Sequence, residues 1–78
     1  MLSKDDFRRR LAWRVRNLRA ATEWTLEEAA EFSYLTPQTL CLIENGKTLP
    51  TVATIYKIAT AFNLSLSQFF EGVDDERQ

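Results

Sequence analysis

Seven of the ten basic residues stand in the first nineteen positions: Lys4, Arg8, Arg9, Arg10, Arg14, Arg16 and Arg19. Only Asp5 and Asp6 oppose them, so this stretch carries +5 while residues 20–78 carry −6. A local cluster of that kind can hold polyanions, nucleic acid among them, even in a chain that is slightly acidic as a whole. The net charge of −1 and a pI near 5.3 still weigh against strong sequence-blind attraction to a phosphate backbone. Other chemistry is poorly provided for. Cys41 is the one cysteine and there is no histidine, so no internal disulfide can form and no zinc site of the usual Cys/His kind is expected. No Gly-rich phosphate loop occurs, and no Ser or Cys stands with a recognisable base. We expect no enzyme activity, no metal and no cofactor. A reducing cytoplasm suits the lone thiol. The opening residues MLSKDDF put charges where a secretion signal needs an apolar stretch, and no apolar run approaches a membrane span. Cytoplasmic residence without membrane contact is therefore expected.

The elements that must position these residues read as helices throughout. Seventy-eight residues, 45% hydrophobic and 27% charged, suit one small globular domain. Ser3 and Asp6 form a capping-box pattern, and Phe7, Leu11, Val15 and Leu18 follow on one helical stripe. This predicts a first helix over about residues 4–22, with Arg9, Trp13, Arg16 and Ala20 on the opposite face. Thr25 and Glu28 form a second capping box, opening a helix to about Ser33. Thr36 caps a third, with Pro37 at its first position, which ends near Asn45 with Gly46 in the left-handed position. Pro50 and Thr51 start a fourth over about residues 52–62, its stripe being Val52, Ile55, Ala59 and Phe62. Ser65 and Gln68 open a short fifth that ends near Phe70, closed by Gly72. The expected domain is residues 1–72, followed by an acidic tail over residues 73–78. Two short helices joined by a tight turn, the second and third, have the helix-turn-helix arrangement.

Over residues 11–70 the chain resembles the helix-turn-helix domain of phage repressors, Cro proteins and xenobiotic-response-element-like bacterial regulators. Leu11-Ala-Trp-Arg-Val-Arg-Asn-Leu-Arg19 matches that family's first helix and Trp24-Thr-Leu-Glu-Glu-Ala-Ala30 its second. Leu35-Thr-Pro-Gln-Thr-Leu-Cys-Leu-Ile-Glu-Asn-Gly-Lys47 matches the recognition helix and its exit. Pro50-Thr-Val-Ala-Thr-Ile55, Ala59, Leu64-Ser-Leu66 and Phe69-Phe70 match the remainder. The resemblance implies an all-α, five-helix, lambda-repressor-like DNA-binding fold. It also implies an ion pair, Arg19 with Glu44, tying the first helix to the third, since a partly buried Glu needs a partner.

The implied function is regulation of transcription by binding double-stranded DNA, with the third helix in the major groove. On its outward side stand Thr36, Gln38, Thr39, Cys41 and Leu42, while Leu40 and Ile43 point to the core. Gln38 is the foremost base reader, because its amide can bond adenine N6 and N7 together. Thr36 and Thr39 can bond a phosphate or touch a thymine methyl, and Leu42 can touch only a methyl. Phosphate contacts are expected from the N–H groups near Thr25 and Leu26, and from Asn45, Lys47 and Thr48.

Four positions depart from the family pattern. Leu26 stands where a phosphate-bonding Gln is frequent, Pro37 where a polar base-facing residue is frequent, and Leu42 where a second polar reader is frequent. Tyr34 occupies a turn position that is usually Gly. Trp13 and Phe32 add aromatic area on surfaces expected to be exposed, whereas Trp24 sits at a core position. The apolar run of Leu26, Pro37 and Leu42 leaves open a protein-interaction module, or an antitoxin or controller protein, on the same fold. One recognition helix reads few bases, so a homodimer on a palindromic operator is expected. Tyr56, Phe69 and Phe70 are candidates for its interface, with core closure as the alternative for Phe69 above all.

Overall fold

A computed structural model describes residues 3–73. Five α-helices follow one another: α1 (Lys4–Ala20), α2 (Leu26–Phe32), α3 (Pro37–Glu44), α4 (Val52–Ala61) and α5 (Leu66–Val73). No strand occurs among the described residues, so the fold is all-α.

Every helix start is set by a local hydrogen bond. The side chains of Ser3, Thr25, Thr36, Thr51 and Ser65 accept from the backbone N–H three residues on. In α1, α2 and α5 the bond is returned by Asp6, Glu28 and Gln68. Reciprocal bonds satisfy donors that a helix N-terminus otherwise leaves without partners. Three helix ends close in one way. Tyr34, Gly46 and Asn63 have φ of 56°, 68° and 62°. The next residue's N–H bonds back into the last turn: Leu35 to Ala30, Lys47 to Leu42 and Leu64 to Ala59. This is the Schellman arrangement. Gly46 suits it at no steric cost, and Asn63 tolerates it. Tyr34 holds it against an unfavourable backbone energy.

Burial follows the helical stripes. Leu11, Val15, Ala29, Ala30, Leu40, Ile43, Ile55, Ile58, Ala59, Phe69 and Val73 form the core. α1 packs on α3 and α5, α2 packs on α3, and α4 packs on α5. Trp24 sits under this core, its ring 4.7 Å from Phe32 and 5.2 Å from Phe62.

Several expectations need correction. α1 stops at Ala20, because the Thr22 hydroxyl and N–H both take the Arg19 carbonyl and turn the chain. On α4 the buried stripe is Ile55, Ile58 and Ala59, while Val52 faces outward. α5 does not end at Phe70, nor does Gly72 close it: the helix runs on to Val73, which is buried. Gly72 is instead required by Arg14, which lies across it. A Cβ there would stand 2.3 Å from the guanidinium carbon. Phe69 is fully buried under the Arg14 guanidinium and cannot meet a second molecule. Phe70 is half-buried, edge-on to Phe69, and Trp13 is half-buried rather than exposed. The remainder of the expected acidic tail, residues 74–78, lies outside the described residues.

Candidate nucleic-acid interface

The geometry of α3 is fixed from its C-terminal end. Glu44 is 5% exposed. The Arg19 guanidinium meets its carboxylate in a two-pronged pair, Nε to Oε2 at 2.8 Å and Nη2 to Oε1 at 2.9 Å. Arg16 donates to the Glu44 backbone carbonyl at 2.8 Å. Two cations from α1 thus hold the negative end of the α3 dipole, one by charge pairing and one by capping. The hydrogen bond to Glu44 raises the Arg19 pKa, against the opposing effect of burial. Leu40 and Ile43 anchor the inward face in the core.

The outward face of α3 is left to solvent. Pro37, Gln38, Cys41 and Leu42 are exposed, Leu42 by 41%. Among the described residues nothing engages the Gln38 amide, so both its donor and its acceptor are available. Thr36 Oγ1 caps Thr39 N–H and donates to Thr39 Oγ1 at 2.9 Å, so the two hydroxyls work as a linked pair. Asn45 donates to the Cys41 carbonyl at 2.8 Å, which turns its amide N–H back onto the helix and leaves its carbonyl oxygen outward-capable. Lys47 is exposed and Thr48 is half-buried just beyond.

The second helix presents less to an anion than expected. The Thr25 N–H is bonded to the Glu28 carboxylate at 2.9 Å, so it is not an open donor. Leu26 packs its side chain against the core, which shrinks the apolar area on this face to Pro37 and Leu42. Glu27, Glu28 and Glu31 border the groove between α2 and α3, together with Leu35, Thr36 and Pro37.

The arginine cluster is not an open basic surface. Arg8 pairs with Asp5 and Arg9 with Asp6. Arg14 donates to the Phe69 and Gln68 carbonyls, each at 3.0 Å, and Arg10 reaches the Val73 carbonyl at 3.5 Å. With Arg16 and Arg19 on Glu44, α1 serves as the C-terminal cap of two other helices. Charge counting along the chain missed this, because the acceptors of Arg10, Arg14, Arg16 and Arg19 lie 25 to 63 residues away. The stripe shared by Arg10 and Arg14, four residues apart beside Phe7 and Leu11, was the available signal.

A short helix pinned at one end and bare on its outer face, joined by a four-residue turn to a supporting helix, defines a helix-turn-helix protein. The chain belongs to the helix-turn-helix family HTH_3, whose model matches residues 15–69. It is 35% identical over 65 residues to the HTH-type transcriptional regulator SutR of Escherichia coli (strain K12), covering 83% of this chain and 36% of that protein. It is 37% identical over 65 residues to the competence pilus inhibition repressor of Acinetobacter baylyi, covering 80% of this chain and 59% of that one. A crystal structure of an HTH_3 family transcriptional regulator from Vibrio cholerae superposes with a TM-score of 0.82 at 32% identity, over 88% of this chain and 39% of the other. The chain therefore spans between about a third and three-fifths of these relatives.

Proposed function

We propose that this protein is a sequence-specific transcriptional regulator, a repressor or autoregulator. In this reading it acts in the cytoplasm and binds a palindromic operator as a homodimer through α3. The carrying observation is the contrast between the two sides of that helix. Its inner side is locked by Leu40, Ile43 and the Arg19–Glu44 pair, while Gln38 projects with its amide unengaged. A rigid helix presenting an available amide is what bidentate reading of a base edge requires. Thr36, Pro37, Thr39 and Leu42 would line the groove around it. Lys47 and Thr48 would flank the phosphate path, as would the Leu26 N–H at the start of α2. The Thr25 N–H is held by Glu28 and the Asn45 amide N–H by Cys41, which leaves neither open to a phosphate.

The alternative of a protein-binding face loses support from Leu26, whose side chain is turned to the core. The scarcity of open cations further shapes the proposed mode. With Lys47 the main cation beside α3, affinity rests on neutral donors and groove fit more than on counterion release.

Selection of random duplexes by the purified protein, with affinity of the winners followed against salt, tests the reading. An enriched palindrome supports it, and two-fold half-sites about one helical turn apart support the dimer. No enrichment, even at low salt, refutes it.

A further inference from the structure

The outer stripe of α3 opens and closes on an amide, and the two amides differ in what they can offer. Gln38 and Asn45 stand seven residues apart, which returns a helix to the same side, and both are exposed. At 1.5 Å of rise per residue they are about 10 Å apart along the axis, or about three base steps of a duplex. Gln38 is unengaged, whereas Asn45, the residue that caps α3, is held. Its Nδ2 donates to the Cys41 carbonyl at 2.8 Å and to the Cys41 sulfur at 3.3 Å. An amide nitrogen carries two N–H donors, and these two acceptors take both. Turning the amide over would set its oxygen against the Cys41 carbonyl, acceptor on acceptor, so its orientation is fixed. What Asn45 presents outward is Oδ1 alone, an acceptor on a neutral group. A phosphate oxygen is also an acceptor and repels it. In the major groove an acceptor finds donors only at the exocyclic amino groups, cytosine N4 and adenine N6, since guanine O6, thymine O4 and the purine N7 atoms are acceptors too.

We infer that Asn45, held as a pure acceptor by Cys41, determines specificity at a second base pair, about three steps from the one read by Gln38. There it favours an amino base, cytosine or adenine, over a keto base, guanine or thymine. The inference rests on the proposed reading of α3 as the groove helix. Cys41 is a positioning residue in it. Its sulfur takes the second N–H of Asn45, which would otherwise be free to donate to a keto oxygen. The stripe then carries two kinds of reader. Gln38 offers donor and acceptor together and can engage adenine in two bonds, while Asn45 offers one acceptor and sorts bases by class. A single neutral hydrogen bond is at stake, and on a keto base the acceptor faces another acceptor. Discrimination of about five- to tenfold follows.

The test is a titration of duplexes in which each base pair of the selected operator is changed singly, with wild type and Asn45→Ala at one salt concentration. Wild type should show a position in each half-site where cytosine or adenine on one strand binds about five- to tenfold better than guanine or thymine. Asn45→Ala should level that position to within about twofold and leave the preference at the Gln38 position unchanged. Placing there a base analogue that lacks the exocyclic amino group should weaken wild type about fivefold and Asn45→Ala not at all, a comparison that for wild type needs no variant to fold. Cys41→Ala should admit keto bases and narrow the preference to about twofold, and Cys41→Ser, whose hydroxyl can accept in place of the sulfur, should restore it. Circular dichroism reports that the variants are folded. Amino-over-keto preference that survives Asn45→Ala overturns the inference and leaves the proposed function standing. So does an Asn45→Ala variant that weakens every duplex equally, as loss of a phosphate contact does. Wild type that discriminates at no position overturns the proposed function and this inference with it.

Discussion

Replacing Arg19 by Met removes the guanidinium that holds α3 while keeping most of the aliphatic stem. Glu44 is 5% exposed and would lose both donors to its carboxylate. Leaving one member of a buried ion pair without its partner costs about 3–5 kcal/mol. The Arg19 side chain is itself 29% exposed, so water reaches part of the site and the lower figure, about 3 kcal/mol, is expected. A domain of this size has roughly 4–12 kcal/mol in total. Arg19→Met should therefore lower the melting temperature by roughly 12–24 °C. Glu44→Met in the same background removes the stranded charge and should restore much of the loss, because well-packed apolar pairs replace buried ion pairs at little cost. Urea unfolding followed by circular dichroism, at one protein concentration, measures Arg19→Met, Glu44→Met and the double variant, and the coupling between them. A loss under about 1 kcal/mol for Arg19→Met, or strict additivity with Glu44→Met, would refute the assignment of this pair as the anchor of α3.

Further predictions concern the groove, the salt response, α5 and acid. Gln38→Ala should change sequence preference at one base pair per half-site by about 1–3 kcal/mol, read by competition against operators varied singly; uniform weakening across all bases would remove Gln38 as a reader. Lys47→Ala should weaken binding to every duplex and flatten the log–log salt slope by about one unit, and an unchanged slope would take Lys47 off the phosphate path. Gly72→Ala should destabilise by about 1–2 kcal/mol by pushing Arg14 off its two carbonyls. In an Arg14→Ala background the same change should become stabilising, since Ala is the better helix residue, and failure of the sign to reverse in thermal melts would sink the explanation. The hydrogen bond from Ser3 is the main cause holding the Asp6 carboxyl below its ordinary value, with Arg9 assisting. Its stabilisation is thus complete above the ordinary carboxylate pKa and is lost as pH falls through the lowered one. The stability difference between wild type and Asp6→Asn, measured from about pH 6 to about pH 2, should be flat and then shrink; a difference independent of pH would contradict this.

What could be read from the residues divides by range. Ser3, Thr25, Thr36, Thr51 and Ser65 announced their helices because a cap bonds three residues away, within the reach of a local pattern. Gly46 was legible for the same reason, as the left-handed position follows directly from where a helix stops, whereas Tyr34 was singled out only by the family resemblance. Asn63, closing α4 in the same way, passed unnoticed because Asn is common in many turns. Gly72 misled, since its role is set by Arg14, which comes 58 positions earlier. The arginines misled likewise. Their number suggested an open basic surface, whereas the carbonyls that receive them belong to helices distant in sequence. On the candidate interface, the exposure of Gln38 followed from helical periodicity alone, but the inward turn of Leu26 depended on packing that no one-helix pattern contains.

The arginines of α1 also bear on how the chain acquires its structure. Arg16 waits for a carbonyl 28 residues later, Arg14 for one 55 later, and Arg10 for one 63 later. Among the five helices α1 is therefore the first made and the last to find all its partners. Until α5 emerges, α1 has its apolar stripe uncovered and two guanidinium groups with nothing to cap. Closure between α1 and α5 carries the entropy cost of a long loop and delivers its contacts together. The domain should then form in one late, concerted event, with no stable fragment lacking α5, and α3 should become rigid only when α5 has docked.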